Sequence, residues 1–229
     1  MSKAKPNPNL TPTPAQADLP ADLPAHKGLV VVIEDHQEYL SALKRLLELE
    51  GYACEAHLSA ESFLQLHPPE ELAPLGPCCL LCDVKLPAMS GLQLQERFAD
   101  LKEMPLILMS GNSGVHEVAE GFRAGALDFL LKPIDAEVLL QRVSQALELS
   151  AQRQQERQFR EGLRERIEGM SARERQIARR VAEGMLNREI AAEMHIALRT
   201  VKLHRHRALL KLGAKNVPEL VRLIQIEAL

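Results

Sequence analysis

Cys78-Cys-Leu-Leu-Cys-Asp83 is a run of apolar residues too short for a helix and without polar alternation, and it ends abruptly on a carboxylate. That is the form of a strand covered on both faces. Working outward, the form recurs. Leu29-Val-Val-Val-Ile33 ends on Glu34-Asp35, Pro105–Met109 ends on Ser110, and Leu127–Leu131 ends on Lys132-Pro133. A shorter strand is expected at Tyr52–Ala56. Between the strands lie helical patterns. Leu40, Leu43, Leu46, Leu47 and Leu49 recur at helical spacing and Gly51 closes the turn. Ser59 caps a helix carrying Phe63, Leu64 and Leu66. Residues 67–77 are proline-rich and predict a loop. Helices follow over Gly91–Leu101 and Val115–Ala124, and Asp135 caps another that meets no breaker before Gly162.

Five β/α units in succession predict a five-stranded parallel, doubly wound sheet of the flavodoxin-like kind, with helices on both faces. Ligands of such sheets bind outside the carboxyl ends of the strands. The residues just past those ends are Glu34, Asp35, Asp83, Ser110 and Lys132. Three carboxylates repel one another, and a hard cation relieves this; Mg²⁺ suits an all-oxygen site with few protein ligands. A hydroxyl and an ammonium beside them can hold the oxygens of a phosphoryl group. Together the set predicts a phosphoryl-transfer site.

The chain has 229 residues, 46% hydrophobic and 26% charged, with a net charge of −3. This excludes a bulk polycation. No apolar run approaches the roughly 18 residues of a membrane span, and the N-terminus has no apolar signal core. Four cysteines, three of them at Cys78, Cys79 and Cys82, make no disulfide framework, so a reducing cytoplasm is expected. The charge is unevenly distributed. Residues 169–229 hold 12 Lys/Arg and 6 Asp/Glu, a net of +6, whereas residues 1–168 hold 16 and 25, a net of −9. A basic C-terminal domain is a nucleic-acid candidate.

Four domains or segments are expected: a disordered Pro-rich tail over 1–26, an α/β domain over 27–148, a linker helix over 149–168 and a small all-α domain over 169–229. The tail holds six prolines and few large apolar residues. The linker stretch is polar, with Phe159, Leu163 and Ile167 spaced by four, too thin a seam for a coiled coil. In the last domain Ser171-Ala-Arg-Glu174 is a capping box opening a helix that Gly184 ends. Asn187 is expected to cap a short second helix. A third runs from Arg199 to Leu212, and a fourth has Pro218 in its first turn. Two short helices joined by a tight turn, the second basic, form a helix-turn-helix pattern. Val201, Ala208, Leu209 and Leu212 form the inward face of the third helix. Lys202, Leu203 and His206 lie outward, with Arg199, Arg205, Arg207 and Lys211 around them.

Cys79-Leu-Leu-Cys82 has metal-ligand spacing, but positions three apart on a strand point to opposite faces. Buried structural thiols are the expectation. The eight histidines look scattered, and no transition-metal site is expected.

These motifs resemble known families. Asp83-Val-Lys-Leu-Pro87-Ala-Met-Ser-Gly91, the Glu34-Asp35 pair, Met109-Ser110-Gly111 and Gly125–Pro133 resemble the segments of two-component receiver domains. Ser171–Glu174, Asn187-Arg-Glu-Ile-Ala191, Arg199-Thr-Val-Lys-Leu-His204 and Lys211–Asn216 resemble the LuxR-type DNA-binding domain. The whole resembles a FixJ/NarL-type response regulator. The resemblance implies Asp83 as phosphoryl acceptor. It implies Asp35, Asp83 and the Lys85 backbone carbonyl as Mg²⁺ ligands, with Glu34 acting through water. Lys132, Ser110 and Phe129 become the phosphoryl-binding and switch residues, and a cis Lys132–Pro133 bond is expected. Glu34 stands where aspartate is more usual. Lys202, Leu203 and His206 would reach base edges, with His206 where lysine is common. Thr200, His204 and Arg207 would meet phosphates, with Asn187, Arg188 and Arg199 as further DNA contacts. The last helix, Pro218–Glu227, is implied as a dimer surface.

The implied partners are a sensor histidine kinase, double-stranded promoter DNA with two half-sites, and a second copy on activation. RNA polymerase is a further candidate and no membrane is involved. An enzyme is not expected: phosphohydrolases on similar sheets carry an acid two residues after the nucleophile, where this chain has Lys85. Self-dephosphorylation would be slow at most. The other reading is a DNA-binding regulator whose receiver is a phosphorylation-independent interaction module.

Overall fold

The computed structural model describes residues 26–68, 76–97, 103–111 and 115–227. In chain order the elements are β1 (Leu29–Ile33), α1 (Gln37–Leu49), β2 (Ala53–His57), α2 (Ala60–Leu66), β3 (Cys78–Asp83), α3 (Gly91–Arg97) and β4 (Leu106–Ser110). They continue as α4 (Val115–Arg123), β5 (Asp128–Leu131), α5 (Ala136–Glu168), α6 (Ala172–Ala182), α7 (Asn187–Glu193), α8 (Leu198–Leu212) and α9 (Val217–Glu227). The strands form one parallel sheet in the order β2-β1-β3-β4-β5. The doubly wound α/β domain and the helical C-terminal domain are as expected. The proline-rich tail, the middle of the 67–77 loop and the end of the helix expected to reach Leu101 lie outside the described residues.

The apolar strands serve two cores because successive side chains alternate. Val30, Val32, Cys79, Leu81, Ile107 and Met109 meet Leu40, Leu43, Leu47, Leu139, Val143 and Leu147 from α1 and α5. Val31, Ile33, Leu80, Cys82, Leu106 and Leu108 meet Phe63 of α2 and Leu94 of α3. Cys79 and Cys82 therefore sit on opposite faces. Burial pushes both thiols well above the ordinary range, Cys78 up to about 11 and Cys54 up to about 12. The expected cap at Ser59 accepts from Ser62 N at 3.1 Å, and that at Asp135 from Glu137 N at 2.9 Å. β2, β4 and β5 each begin one residue later than expected.

The helix α5 does not stop at Gly162. It runs on to Glu168, 33 residues in all, because a glycine with no competing cap costs only about 1 kcal/mol inside a helix. The segment expected as a linker is shared out between the domains. Ser150 Oγ accepts from Cys78 N at 3.0 Å and donates to the Glu103 carbonyl at 2.6 Å. Gln154 Nε2 donates to the Gly76 carbonyl at 2.7 Å. These two side chains satisfy backbone at the start of the sheet and belong to the α/β domain. Leu163 and Ile167 belong to the C-terminal core, with Ile177, Val181, Ile190, Val201, Ala208, Leu212, Leu220 and Leu223.

Two details of the C-terminal domain differ from expectation. Asn187 is the first residue of α7 rather than its cap. Glu189 accepts from Leu186 N at 2.9 Å and supplies the turn, while Asn187 Oδ1 accepts from Arg205 Nη1 at 3.2 Å. Lys211 does not join the outward cations. Its Nζ donates to Glu174 Oε2 at 2.8 Å and to the Gly169 carbonyl at 3.0 Å. Glu174, which also accepts from Ser171 N at 2.8 Å, is thus pinned from two helices.

The Lys211 ammonium and the Ser171 amide lower the Glu174 carboxyl from its ordinary 4.5 to about 2. A depressed carboxylate adds stability that is complete above its unfolded pKa and is lost as pH falls through the folded one. Glu174→Gln is therefore expected to lower the melting temperature at pH 7 by a few degrees, as for a lost cap of about 1 kcal/mol. The gap from the wild type should close between pH 4.5 and about 2 in parallel thermal melts. A gap constant across that range would refute the assignment.

Candidate functional site

The strand register assembles the site. Ile33 pairs with Cys82, so Glu34 and Asp83 follow level with each other on adjoining strands. Asp83 pairs with Met109, and Ser110 with Leu131, so Ser110 and Lys132 stand one and two steps further along the same edge. Glu34, Asp83 and Ser110 are buried, whereas Asp35 is half-buried. Phe129 is half-buried and packs on the second core. The Lys132–Pro133 bond is cis, as expected.

Lys132 is the centre of the arrangement. Its Nζ donates to Glu34 Oε2 at 2.5 Å and makes a short contact with Asp83 Oδ2. The Tyr39 ring lies beneath it, 4.7 Å from Nζ to the ring centroid. Burial pulls the ammonium down, but the hydrogen bonds and charges of Asp83 and Glu34 outweigh this and raise it above its ordinary value. Lys132 is therefore charged at neutral pH. The Lys85 amide donates to Asp83 Oδ1 at 2.7 Å and seats the following loop against the carboxylate.

Two carboxylates thus share one ammonium with Asp35 beside them, an acid-rich edge that a divalent cation would help balance. Glu34 Oε1 is buried without a hydrogen bond; His36 Nδ1 lies 3.3 Å away in an unsuitable orientation. Glu34, Asp35 and His36 offer ligand atoms within 4.8 Å of one another. An orphaned carboxylate oxygen beside a half-exposed aspartate fits a hard cation such as Mg²⁺. The cleft over this edge is lined by Glu34, His36, Tyr39, Asp83, Lys85 and Lys132.

Sequence reading missed Tyr39 and His36, one turn apart at the start of α1. Their signal was weak, since neither follows a strand. It also missed why residue 91 is glycine. A Cβ there would stand 2.4 Å from the Asp83 carbonyl oxygen and 3.1 Å from Val84 Cα.

The second candidate surface is α8. Val201, Ala208 and Leu212 are buried and Leu209 is half-buried. Arg199, Lys202, Leu203, His206 and Arg207 are exposed, as is Leu210, which extends the same stripe. Thr200 and His204 are half-buried at its margins; Arg188 is exposed and Asn187 half-buried on α7. α8 packs on α5, α6, α7 and α9 and turns this stripe outward.

The response regulator receiver domain family model matches residues 30–144, and that of the bacterial regulatory proteins of the luxR family matches residues 168–224. The chain belongs to the response regulators. This response regulator is 35% identical over 206 residues to the transcriptional regulatory protein FixJ of Azorhizobium caulinodans, covering 90% of this chain and 93% of the relative. It is 33% identical over 200 residues to the response regulator protein TmoT of Ectopseudomonas mendocina, covering 87% and 89%. Among solved structures, the response regulator StyR superposes with a TM-score of 0.74 at 31% identity, covering 86% of this chain and 98% of that one. The response regulator is therefore a transcription regulator with a receiver and a LuxR-type DNA-binding domain. No helix among its described residues is long and apolar enough to cross a membrane.

Gly91→Ala in this response regulator is expected to cost about 1–3 kcal/mol, because backbone must move to admit the methyl group. Urea unfolding reads this as a lower midpoint. An unchanged midpoint would show that the close approach to Asp83 is not required.

Proposed function

We propose that Asp83 accepts a phosphoryl group from the phosphohistidine of a sensor kinase, and that the acyl phosphate alters dimerisation and promoter binding. The carrying observation is the convergence of Asp83, Lys132 and Ser110 on one strand edge. An Asp83 oxygen bonds to phosphorus as the bond from phosphorus to the kinase imidazole breaks. Glu34, Asp35, Asp83 and the Lys85 carbonyl would hold Mg²⁺, which when bound would neutralise charge on the transferring oxygens. Lys132 stays charged and follows the new anion. Ser110 turns its hydroxyl towards a phosphoryl oxygen and Phe129 follows. The protein is an acceptor rather than a turnover catalyst, because Lys85 offers no general acid.

On DNA, Lys202, Leu203 and His206 are assigned to base edges, and Thr200, His204 and Arg207 to phosphates. Asn187, Arg188 and Arg199 are supporting contacts. α9 is assigned to pairing of two copies, which would read two half-sites. The protein would act in the cytoplasm, with RNA polymerase as a further contact at the promoter. One observation favours a receiver that works without phosphorylation: Glu34 already holds Lys132 through a second strong hydrogen bond.

Intact mass after incubation with Mg²⁺ and a small-molecule phosphodonor separates these readings. One added phosphoryl group on the wild type, absent from Asp83→Ala, is expected. No adduct on the wild type, beside a reactive control receiver, would favour the phosphorylation-independent reading.

Arg207→Ala should weaken binding to all DNA sequences and lower the salt slope by about 1. Lys202→Ala should cost about 1–3 kcal/mol on the specific site and relax its selectivity. Titrations on specific and unrelated duplexes at several salt concentrations check both.

A further inference from the structure

The histidines are not all scattered. Glu55, His57 and His67 meet at the edge strand β2, where the His57 carbonyl accepts from Glu34 N at 3.0 Å but none of the three side chains lines the phosphoacceptor cleft, and their ligand atoms lie within 4.8 Å of one another. Glu55 and His57 are two apart on a strand and so share a face. His67 joins them from the C-terminus of α2, where its backbone amide closes the last turn on the Phe63 carbonyl at 2.9 Å. Both imidazoles aim Nε2 at one oxygen, Glu55 Oε1, at 2.6 Å from His57 and 2.7 Å from His67.

The rings are held in place. The buried Phe63 side chain takes His57 edge-on at 5.4 Å and His67 in a tilted stack at 5.2 Å. Behind His57, Ser62 donates its hydroxyl hydrogen to the Ser59 carbonyl at 2.8 Å. Its oxygen lies 3.5 Å from His57 Nδ1. Both Nε2 atoms thus converge on one carboxylate oxygen, a meeting point that a bridging proton or a metal ion can occupy.

We propose that Glu55, His57 and His67 form a binding site for a Zn²⁺-class transition-metal ion, with solvent as the fourth ligand. Two imidazole nitrogens and one carboxylate oxygen are a donor set that such ions take, and Ser62 would supply the outer hydrogen bond that fixes a ligating histidine. Bonds of about 2.0–2.2 Å in a tetrahedron put ligand atoms about 3.3 Å apart. The present contacts need to open by less than about 1 Å. His57 is buried, whereas Glu55 and His67 are each about 30% exposed, so an ion can enter from solvent. Bound there, it would fasten the edge strand to the end of α2. The site is independent of the phosphoryl-transfer reading.

The test uses the full chain in excess Mg²⁺, titrated with Co²⁺ and then displaced by Zn²⁺. Expected is one ion per chain with the visible bands of tetrahedral cobalt and no thiolate charge-transfer band. Asp83→Asn and Asp35→Asn should leave binding intact. His67→Gln, at a half-exposed position that thermal melting can confirm as folded, should weaken it at least tenfold, and Glu55→Gln likewise. Absence of binding in the wild type would show that a proton, not a metal, bridges the cluster. Binding unchanged in His67→Gln, or lost in Asp35→Asn, would place the ion elsewhere and overturn the proposal.

Discussion

One ammonium between two carboxylates is the interaction on which the receiver domain turns. Glu34 and Asp83 end adjoining strands at the same level, so the sheet forces two negative charges together in a buried edge. Such a pair is tolerable only with a counter-charge in hydrogen-bonding reach. Lys132 supplies it from the end of β5, two strands from β3 and three from β1, and Tyr39 holds the ammonium from below. The cost of burying the acids is therefore tied to the completion of β3, β4 and β5.

The same device recurs in the DNA-binding domain. Glu174 is a buried acid fixed by a distant lysine, Lys211, near the end of the helix that also carries the outward cations. One lysine of α8 thus works inward as structure, while Arg199, Lys202 and Arg207 remain at the surface. These three cations stand on the exposed side of a helix whose back is anchored by Val201, Ala208 and Leu212.

Strand ends were the most legible part of the sequence. Each buried strand is an unbroken apolar run that stops at a polar residue, and that stop is also the site residue, as at Ile33-Glu34 and Cys82-Asp83. Caps with their own side-chain acceptors, Ser59, Asp135 and Ser171, were equally legible. What failed depended on tertiary partners. Asn187 has the right side chain for a cap, but Arg205 claims it. Lys211 lies on a basic helix, but Glu174 claims it. Gly162 carries a breaker's identity without a breaker's surroundings, so α5 runs through it. The roles of Ser150 and Gln154 depend on backbone groups far away in sequence, and no local pattern announces them. His57 and His67 were missed as a pair for the same reason: only the packing of α2 on β2 brings them together.

The unbroken helix α5 has a consequence for how the two halves are phased. Each residue of an α-helix turns the chain by about 100° and advances it by about 1.5 Å. Gln154 is the last buried contact with the receiver and Leu163 the first with the DNA-binding core. The few residues between them therefore set an angle as well as a distance. Adding or removing one there would swing the α8 stripe by more than a quarter-turn about the rod while changing its reach by little more than a bond length. A block of seven would nearly restore the original bearing. Within this stretch Arg157 still pairs with Glu103 at 2.8 Å, and the length of the stretch acts as a dial that decides which way the α8 stripe faces.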